Sequence, residues 1–98
     1  MTEIDHAPEL ILGTAQFQSG YGVVRDTEQA HQSDGVDILE LAARLGIAAL
    51  DTAPAYGRAE DTIGQSGCGL PVHTKLDPTR SPAESLSQSL QDLRRDRI

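Results

Sequence analysis

Three short segments with the pattern of strands constrain the fold of this chain more than any other feature of its sequence. They cover residues 10–13, 47–51 and 72–75. Each has the length of a strand, and the first two are apolar up to their last residue. Continuous apolar runs of this length are typical of strands buried on both faces of a parallel sheet. We therefore predict buried strands at 10–13 and 47–51, and a third strand at 72–75.

A helix is predicted between the first two strands. In residues 36–45 apolar side chains recur at intervals of three and four residues, which places them on one wide face. Asp34 is suited to cap the start of this helix, and Gly46 is suited to end it. The preceding residues 16–33 are rich in Gln, Ser, Gly and Asp without periodicity, so we predict a long loop there.

Two further helices are predicted after the second and third strands. The first is short and covers residues 59–63. The second begins with a capping box at residues 81–84, in which a serine precedes a glutamate by three residues and proline takes the first helical position. Its apolar stripe is predicted to consist of Leu86, Leu90 and Leu93.

The regular alternation of strand and helix predicts the fold class. Strands separated by helices are parallel and are joined by right-handed crossovers. A TIM barrel uses about 250 residues for eight units, or roughly 31 residues each, so 98 residues correspond to about three units. We predict an α/β fold in which residues 1–98 form the N-terminal portion of a single (β/α)8 barrel domain. The chain then stops before the barrel is complete.

Composition limits the possible partners and the location of the protein. The chain carries 15 acidic and 8 basic residues, for a net charge of −7, whereas nucleic-acid binding requires concentrated lysine and arginine. No run approaches the ~18 apolar residues of a membrane span, and the N-terminus lacks the pattern of a signal peptide. We expect a cytoplasmic protein without a nucleic-acid or membrane partner, and no specific protein partner is indicated.

The sequence contains no recognisable metal motif. The spacings of His6, His31 and His73 match no known set of metal ligands, and no other ligand cluster accompanies them. Cys68 is the only cysteine, so an internal disulfide is impossible. We predict no metal site.

Polar residues follow the predicted strands at their carboxyl ends, where TIM barrels carry their working groups. Thr14 follows the first strand, Asp51 ends the second, and Lys75 ends the third, while Tyr56 lies in the loop after Asp51. A tyrosine in water has a pKa of about 10, and a neighbouring ammonium favours its phenolate. We expect Lys75 to assist Tyr56 as a proton donor and Asp51 to keep Lys75 charged. Taken alone, each residue type is also common in turns and at solvated strand ends.

The segments around these residues resemble the first three strand-end motifs of the aldo/keto reductases. The matching segments are Gly-Thr-Ala-Gln-Phe at 13–17, the Asp-Thr-Ala-x-x-Tyr-Gly motif within 46–57, and Thr-Lys-Leu at 74–76. The resemblance implies reduction of an aldehyde or ketone with NADPH or NADH. In that family the tyrosine donates the proton, the lysine tunes it and the aspartate pairs with the lysine. It thus implies catalytic roles for Asp51, Tyr56 and Lys75.

The resemblance also implies where the cofactor binds and what is missing. Gly13, Thr14 and Asp51 are implied contacts near the nicotinamide. The family's strand-four histidine and the phosphate-binding loops after strands seven and eight would fall after Ile98. We therefore expect the 98-residue chain to be inactive by itself.

Two other functions are compatible with the same pattern. A different TIM-barrel enzyme would use Lys75 to form a Schiff base with its substrate. A truncated barrel would instead serve as a non-catalytic binding or regulatory module. Borohydride trapping on Lys75 distinguishes the first of these from hydride chemistry.

Overall fold

Three parallel strands form one sheet in the computed structural model, which describes residues 9–17 and 28–98, with the backbone alone for residues 28–33. They are β1 (Ile11–Gly13), β2 (Ala49–Asp51) and β3 (Val72–His73), and they lie in the order β1-β2-β3. The predicted parallel pairing is confirmed. Each observed strand is shorter than the segment predicted for it.

The chain between and after the strands forms α1 (Glu28–Leu45), α2 (Ala59–Ser66) and α3 (Pro82–Leu93). The capping box predicted for α3 is confirmed. The Ser81 hydroxyl accepts a hydrogen bond from the Glu84 backbone N–H at 3.2 Å, and the Glu84 carboxylate accepts one from the Ser81 backbone N–H at 3.3 Å. Helix α1 ends before Gly46, whose φ of +81° is the left-handed conformation that glycine adopts easily.

The predicted start of α1 is wrong. The helix begins at Glu28, so residues 28–33 are helical and Asp34 lies inside the helix. Gly35, which follows Asp34, is also inside the helix, although glycine disfavours helices. A Cβ at this position would lie 3.0 Å from Thr62 Cγ2, so glycine allows α1 to approach α2 closely. A short 3₁₀ helix at Ala15–Phe17 overlaps the start of the remaining predicted loop, and residues 18–27 lie outside the described part of the chain.

The apolar stripe predicted for α3 is only partly correct. Leu93 is buried and Leu90 is half-buried, but Leu86 is exposed. The buried positions one residue earlier in each turn are Ser85 and Ser89. The Ser85 hydroxyl accepts a hydrogen bond from the Asp77 backbone N–H at 2.7 Å, a contact with the β3–α3 loop that the periodicity of the leucines does not reveal.

All three helices cover the same face of the sheet. The core cluster combines strand residues with residues from every helix: Phe17, Leu39, Leu50, Ala59, Ile63, Val72 and Leu93. The opposite face carries the exposed Ile11 and His73. Sequential strand order with helices on one face is the arrangement of a barrel wall, whereas a doubly wound sheet reverses its strand order and has helices on both faces.

Within residues 9–17 and 28–98, no helix is both long enough and apolar enough to cross a membrane.

Candidate active site

Asp51 and Lys75 meet on the open face of the sheet. Asp51 is the last residue of β2 and pairs in register with His73, the last residue of β3. Because side chains alternate along extended chain, Lys75 returns to the face that Asp51 occupies. The Lys75 Nζ donates to the two Asp51 carboxylate oxygens at 3.3 and 3.4 Å and to the Thr52 carbonyl oxygen at 3.1 Å. Strand register therefore brings a carboxylate and an ammonium together.

Tyr56 approaches the same ammonium from the loop between β2 and α2. A turn shapes this loop, since the Tyr56 N–H donates to the Ala53 carbonyl at 3.0 Å and the Tyr56 carbonyl accepts from the Ala59 N–H at 3.1 Å. The ring is half-buried and packs against the core cluster. The Lys75 Nζ lies 5.2 Å from the ring centroid, within the range of a cation–π interaction. The three residues predicted to form the site are thus neighbours in space.

The surroundings of Lys75 favour its charged form. Desolvation lowers the pKa of Lys75, but the hydrogen bond and the negative charge of Asp51 raise it, and Tyr56 adds smaller contributions of the same sign. The net effect places the pKa of Lys75 above its ordinary value. The amine is therefore an ammonium at neutral pH, and it acts as a fixed positive charge between a carboxylate and a phenol.

Thr14 supports the backbone of Asp51. Its N–H and its hydroxyl both donate to the Asp51 carbonyl oxygen at 3.0 Å, and the side chain is fully buried. The hydroxyl is thus engaged with the neighbouring strand. Any contact of the Thr14 side chain with a cofactor stays a prediction that this geometry does not favour.

Gly13 leaves open space beside the Asp51 carboxylate. The two residues are partners in the β1–β2 register, and an added Cβ at Gly13 would meet nothing within 4 Å. No side chain at position 13 therefore covers the sheet next to Asp51. The contacts of Gly13 and Asp51 with a cofactor stay a prediction.

A cavity of about 260 Å³ adjoins the ammonium on the side of the β3–α3 loop. Its lining is mostly apolar, with Lys75 as the cationic group. The lining residues are Ala53, Pro54, Ala55, Lys75, Leu76, Asp77 and Pro78. Such a lining suits the hydrocarbon part of a small molecule whose polar group lies near Lys75.

Comparison with known proteins decides the family. The sequence profile described as the aldo/keto reductase family matches residues 9–98. The chain belongs to the aldo/keto reductase family. No curated protein sequence matches it.

Two solved structures from Pseudomonas aeruginosa, both assigned to the aldo-keto reductases, are similar to this chain. One is 30% identical with a TM-score of 0.67, and the other is 32% identical with a TM-score of 0.68. Each alignment covers 91% of this chain, which spans 39% and 38% of the length of the two structures. The fold is therefore part of a TIM barrel, as predicted, and the family is one of oxidoreductases.

Sequence reasoning missed one polar residue of this aldo/keto reductase chain that contacts the site region. Glu60, in the first turn of α2, is buried and accepts a hydrogen bond from the Thr74 hydroxyl at 2.7 Å. Strand alternation predicts that Thr74 faces the helices, since Lys75 faces the opposite side. The partner on the covering helix could not be identified without the packing of α2.

No group of three or more histidine, cysteine, aspartate or glutamate side chains is arranged to hold a metal ion in the described residues, 9–17 and 28–98.

Proposed function

We propose that this protein is an NAD(P)H-dependent reductase that converts an aldehyde or a ketone into an alcohol, with Tyr56 as the proton donor. The observation that carries the proposal is the position of the Lys75 ammonium. It lies 3.3 Å from the Asp51 carboxylate and 5.2 Å from the centroid of the Tyr56 ring. A phenol beside a fixed cation is suited to transfer a proton near neutral pH.

The cofactor supplies a hydride to the carbonyl carbon when it is bound. Gly13 and Asp51 would hold its nicotinamide end, because the sheet is open beside Gly13. Thr14 contributes by fixing the Asp51 backbone through two hydrogen bonds to one carbonyl oxygen. We infer that this support keeps the Asp51 carboxylate pointed at Lys75.

Tyr56 delivers the proton of its hydroxyl to the carbonyl oxygen of the substrate. The resulting phenolate is stabilised by the nearby Lys75 ammonium, and Asp51 holds that ammonium in place. Because Lys75 keeps its own proton throughout, its role is electrostatic. The substrate is a small carbonyl compound whose apolar part lies in the cavity beside Lys75.

The Schiff-base alternative requires the opposite state of Lys75. A lysine attacks a carbonyl as the neutral amine, so an enzyme of this kind lowers the pKa of its nucleophilic lysine. Here the pKa of Lys75 is raised by Asp51. Absence of a borohydride-trapped adduct on Lys75 is the expected result, and such an adduct would favour the Schiff-base enzyme.

The proposal is tested with the full-length protein, NADPH or NADH, and a set of aldehydes and ketones. Oxidation of the reduced cofactor is followed together with formation of the alcohol. We expect stoichiometric alcohol formation with at least one carbonyl compound, and the comparison of cofactors identifies the preferred one. Tight cofactor binding without turnover of any carbonyl would instead support a non-catalytic binding module.

A further inference from the structure

Glu60 is an acidic residue at a buried position of α2, where carboxylates are uncommon. It is only 4% exposed, although burying a carboxylate is costly unless hydrogen bonds compensate. Its place in the first turn of α2 is favourable for a negative charge, because the helix dipole is positive there. The 2.7 Å hydrogen bond from the Thr74 hydroxyl adds a short, charge-assisted contact. The bond joins α2 to the segment after β3.

Thr74 lies where the sheet no longer fixes the chain. The β3 strand ends at His73, and the Thr52 N–H donates to the His73 carbonyl oxygen at 2.8 Å. Thr74 follows this ladder bond directly and precedes Lys75. The side chain of Thr74 faces the helices while that of Lys75 faces the open side of the sheet. A bond on one side of this extended chain therefore fixes the direction of the next side chain on the other.

The same hydrogen bond connects the two segments that carry the proposed proton donor and its cation. Helix α2 starts three residues after Tyr56, and the Ala59 N–H donates to the Tyr56 carbonyl oxygen at 3.1 Å. Glu60 follows Ala59 in that helix, and Thr74 precedes Lys75. The path from Tyr56 to Lys75 is short: it consists of backbone, the side chains of Glu60 and Thr74, and the hydrogen bond between these two side chains.

The Lys75–Asp51 pair gains from such support because both side chains are about half exposed. The Lys75 side chain is 52% exposed and that of Asp51 is 44% exposed, and ion pairs of this exposure hold their geometry weakly by themselves. We propose that Glu60 and Thr74 are positioning residues, whose hydrogen bond holds the end of β3 so that Lys75 lies between Asp51 and Tyr56. This inference rests on the proposed reductase function for its kinetic consequence.

The test compares Thr74→Val, Thr74→Ser and Glu60→Gln in the full-length protein. Valine keeps the shape of threonine but removes the hydroxyl, serine keeps the hydroxyl, and glutamine keeps an acceptor oxygen. Each variant is measured for kcat, for the Kd of NADPH, and for the pKa of Lys75 by NMR of labelled lysine. We expect Thr74→Val to lower kcat roughly 10- to 100-fold at an unchanged Kd, since small misplacements of catalytic groups are costly.

In the same variant the pKa of Lys75 falls towards its ordinary value, because the amine leaves Asp51. The Thr74→Ser and Glu60→Gln variants keep kcat and the pKa of Lys75 close to the wild-type values. Ile63→Val is the control for stability, since Ile63 is a buried core residue of the same helix. It lowers the free energy of unfolding but leaves kcat and the pKa of Lys75 unchanged.

Three results would overturn the proposal: an unchanged kcat in Thr74→Val, an unchanged pKa of Lys75 in that variant, or a Thr74→Ser variant as impaired as Thr74→Val. If Thr74→Val alone does not fold, the Glu60→Gln/Thr74→Val double variant, which buries no charge, takes its place in each comparison. If the wild type reduces no carbonyl, the proposed function fails, whereas the pKa of Lys75 still decides whether Thr74 positions it.

Discussion

Gly64 is predicted to be the least replaceable glycine in the contact between α2 and α3. An added Cβ would overlap the backbone carbonyl oxygen of Asp92 and would lie 3.1 Å from the carbonyl carbons of Asp92 and Leu93. Non-bonded heavy atoms pack best at about 3.5–4.0 Å, and the nearest atom here is the overlapping carbonyl oxygen, so α3 must move away by roughly 1 Å or more in Gly64→Ala. The obstructing atoms are backbone, so no side-chain rotation relieves the overlap.

The magnitude follows from two opposing contributions. Overpacking by one methyl group costs about 1–3 kcal/mol, and the rigid backbone partner places Gly64→Ala near the upper end. Alanine returns up to about 1 kcal/mol through its helix propensity. We therefore expect a loss of about 2 kcal/mol in the free energy of unfolding, measured by urea denaturation of the full-length protein.

Gly69→Ala is the matched control for this measurement. An added Cβ at Gly69 meets nothing within 4 Å, and the residue has no positive φ. Its replacement should be neutral or should stabilise by up to about 1 kcal/mol. Equal unfolding free energies for Gly64→Ala and Gly69→Ala would refute the close α2–α3 contact.

Three further predictions concern the charges of Lys75 and Asp77 and the activity of residues 1–98 produced alone. Lys75→Met should move the rising limb of the pH profile for alcohol oxidation to higher pH, because the cation that stabilises the phenolate is gone; an unmoved limb would exclude this role. Hydrogen bonds from the Thr79 hydroxyl and backbone N–H, aided by the charge of Arg80, lower the pKa of Asp77. The ionised Asp77 therefore stabilises the folded protein above the ordinary aspartate pKa of about 3.9. This stabilisation is lost as the pH falls through the lower pKa that Asp77 has in the folded protein. Acid unfolding should show the difference between wild type and Asp77→Asn shrinking below about pH 4, and a constant difference would contradict this. Residues 1–98 produced alone should bind NADPH weakly and show no turnover, because the open face beside Asp51 lacks opposing strands; micromolar affinity in a monodisperse monomer by fluorescence titration and light scattering would disprove this.

The fold was predictable to the extent that local pattern determines it. Short segments between turn residues identified the three strands, and serine, proline and glutamate at 81–84 identified the start of α3 correctly. The start of α1 was not predictable, because residues 28–33 have no apolar periodicity to mark a helix. Gly35 and Gly64 lie inside helices at points where a Cβ would come too close to neighbouring segments, and that information is not local.

The candidate site was predictable from one geometric rule and from family motifs. Residues at the carboxyl ends of neighbouring parallel strands meet at one edge, which brings Asp51 and Lys75 together. The buried state of the Thr14 hydroxyl and the contact of Glu60 with Thr74 depend on the packing between layers. The roles of these residues in binding and catalysis remain predictions.

The most direct test of the proposed mechanism is the reduction rate of Tyr56→Phe in the full-length protein. The substitution removes the proposed proton donor and leaves the aromatic ring near Lys75. General acid catalysis typically contributes about 10²–10⁴-fold, so we expect kcat for carbonyl reduction to fall by that order while the Kd of NADPH stays close to that of the wild type. A Tyr56→Phe enzyme that reduces every carbonyl substrate at a rate near that of the wild type would contradict the mechanism.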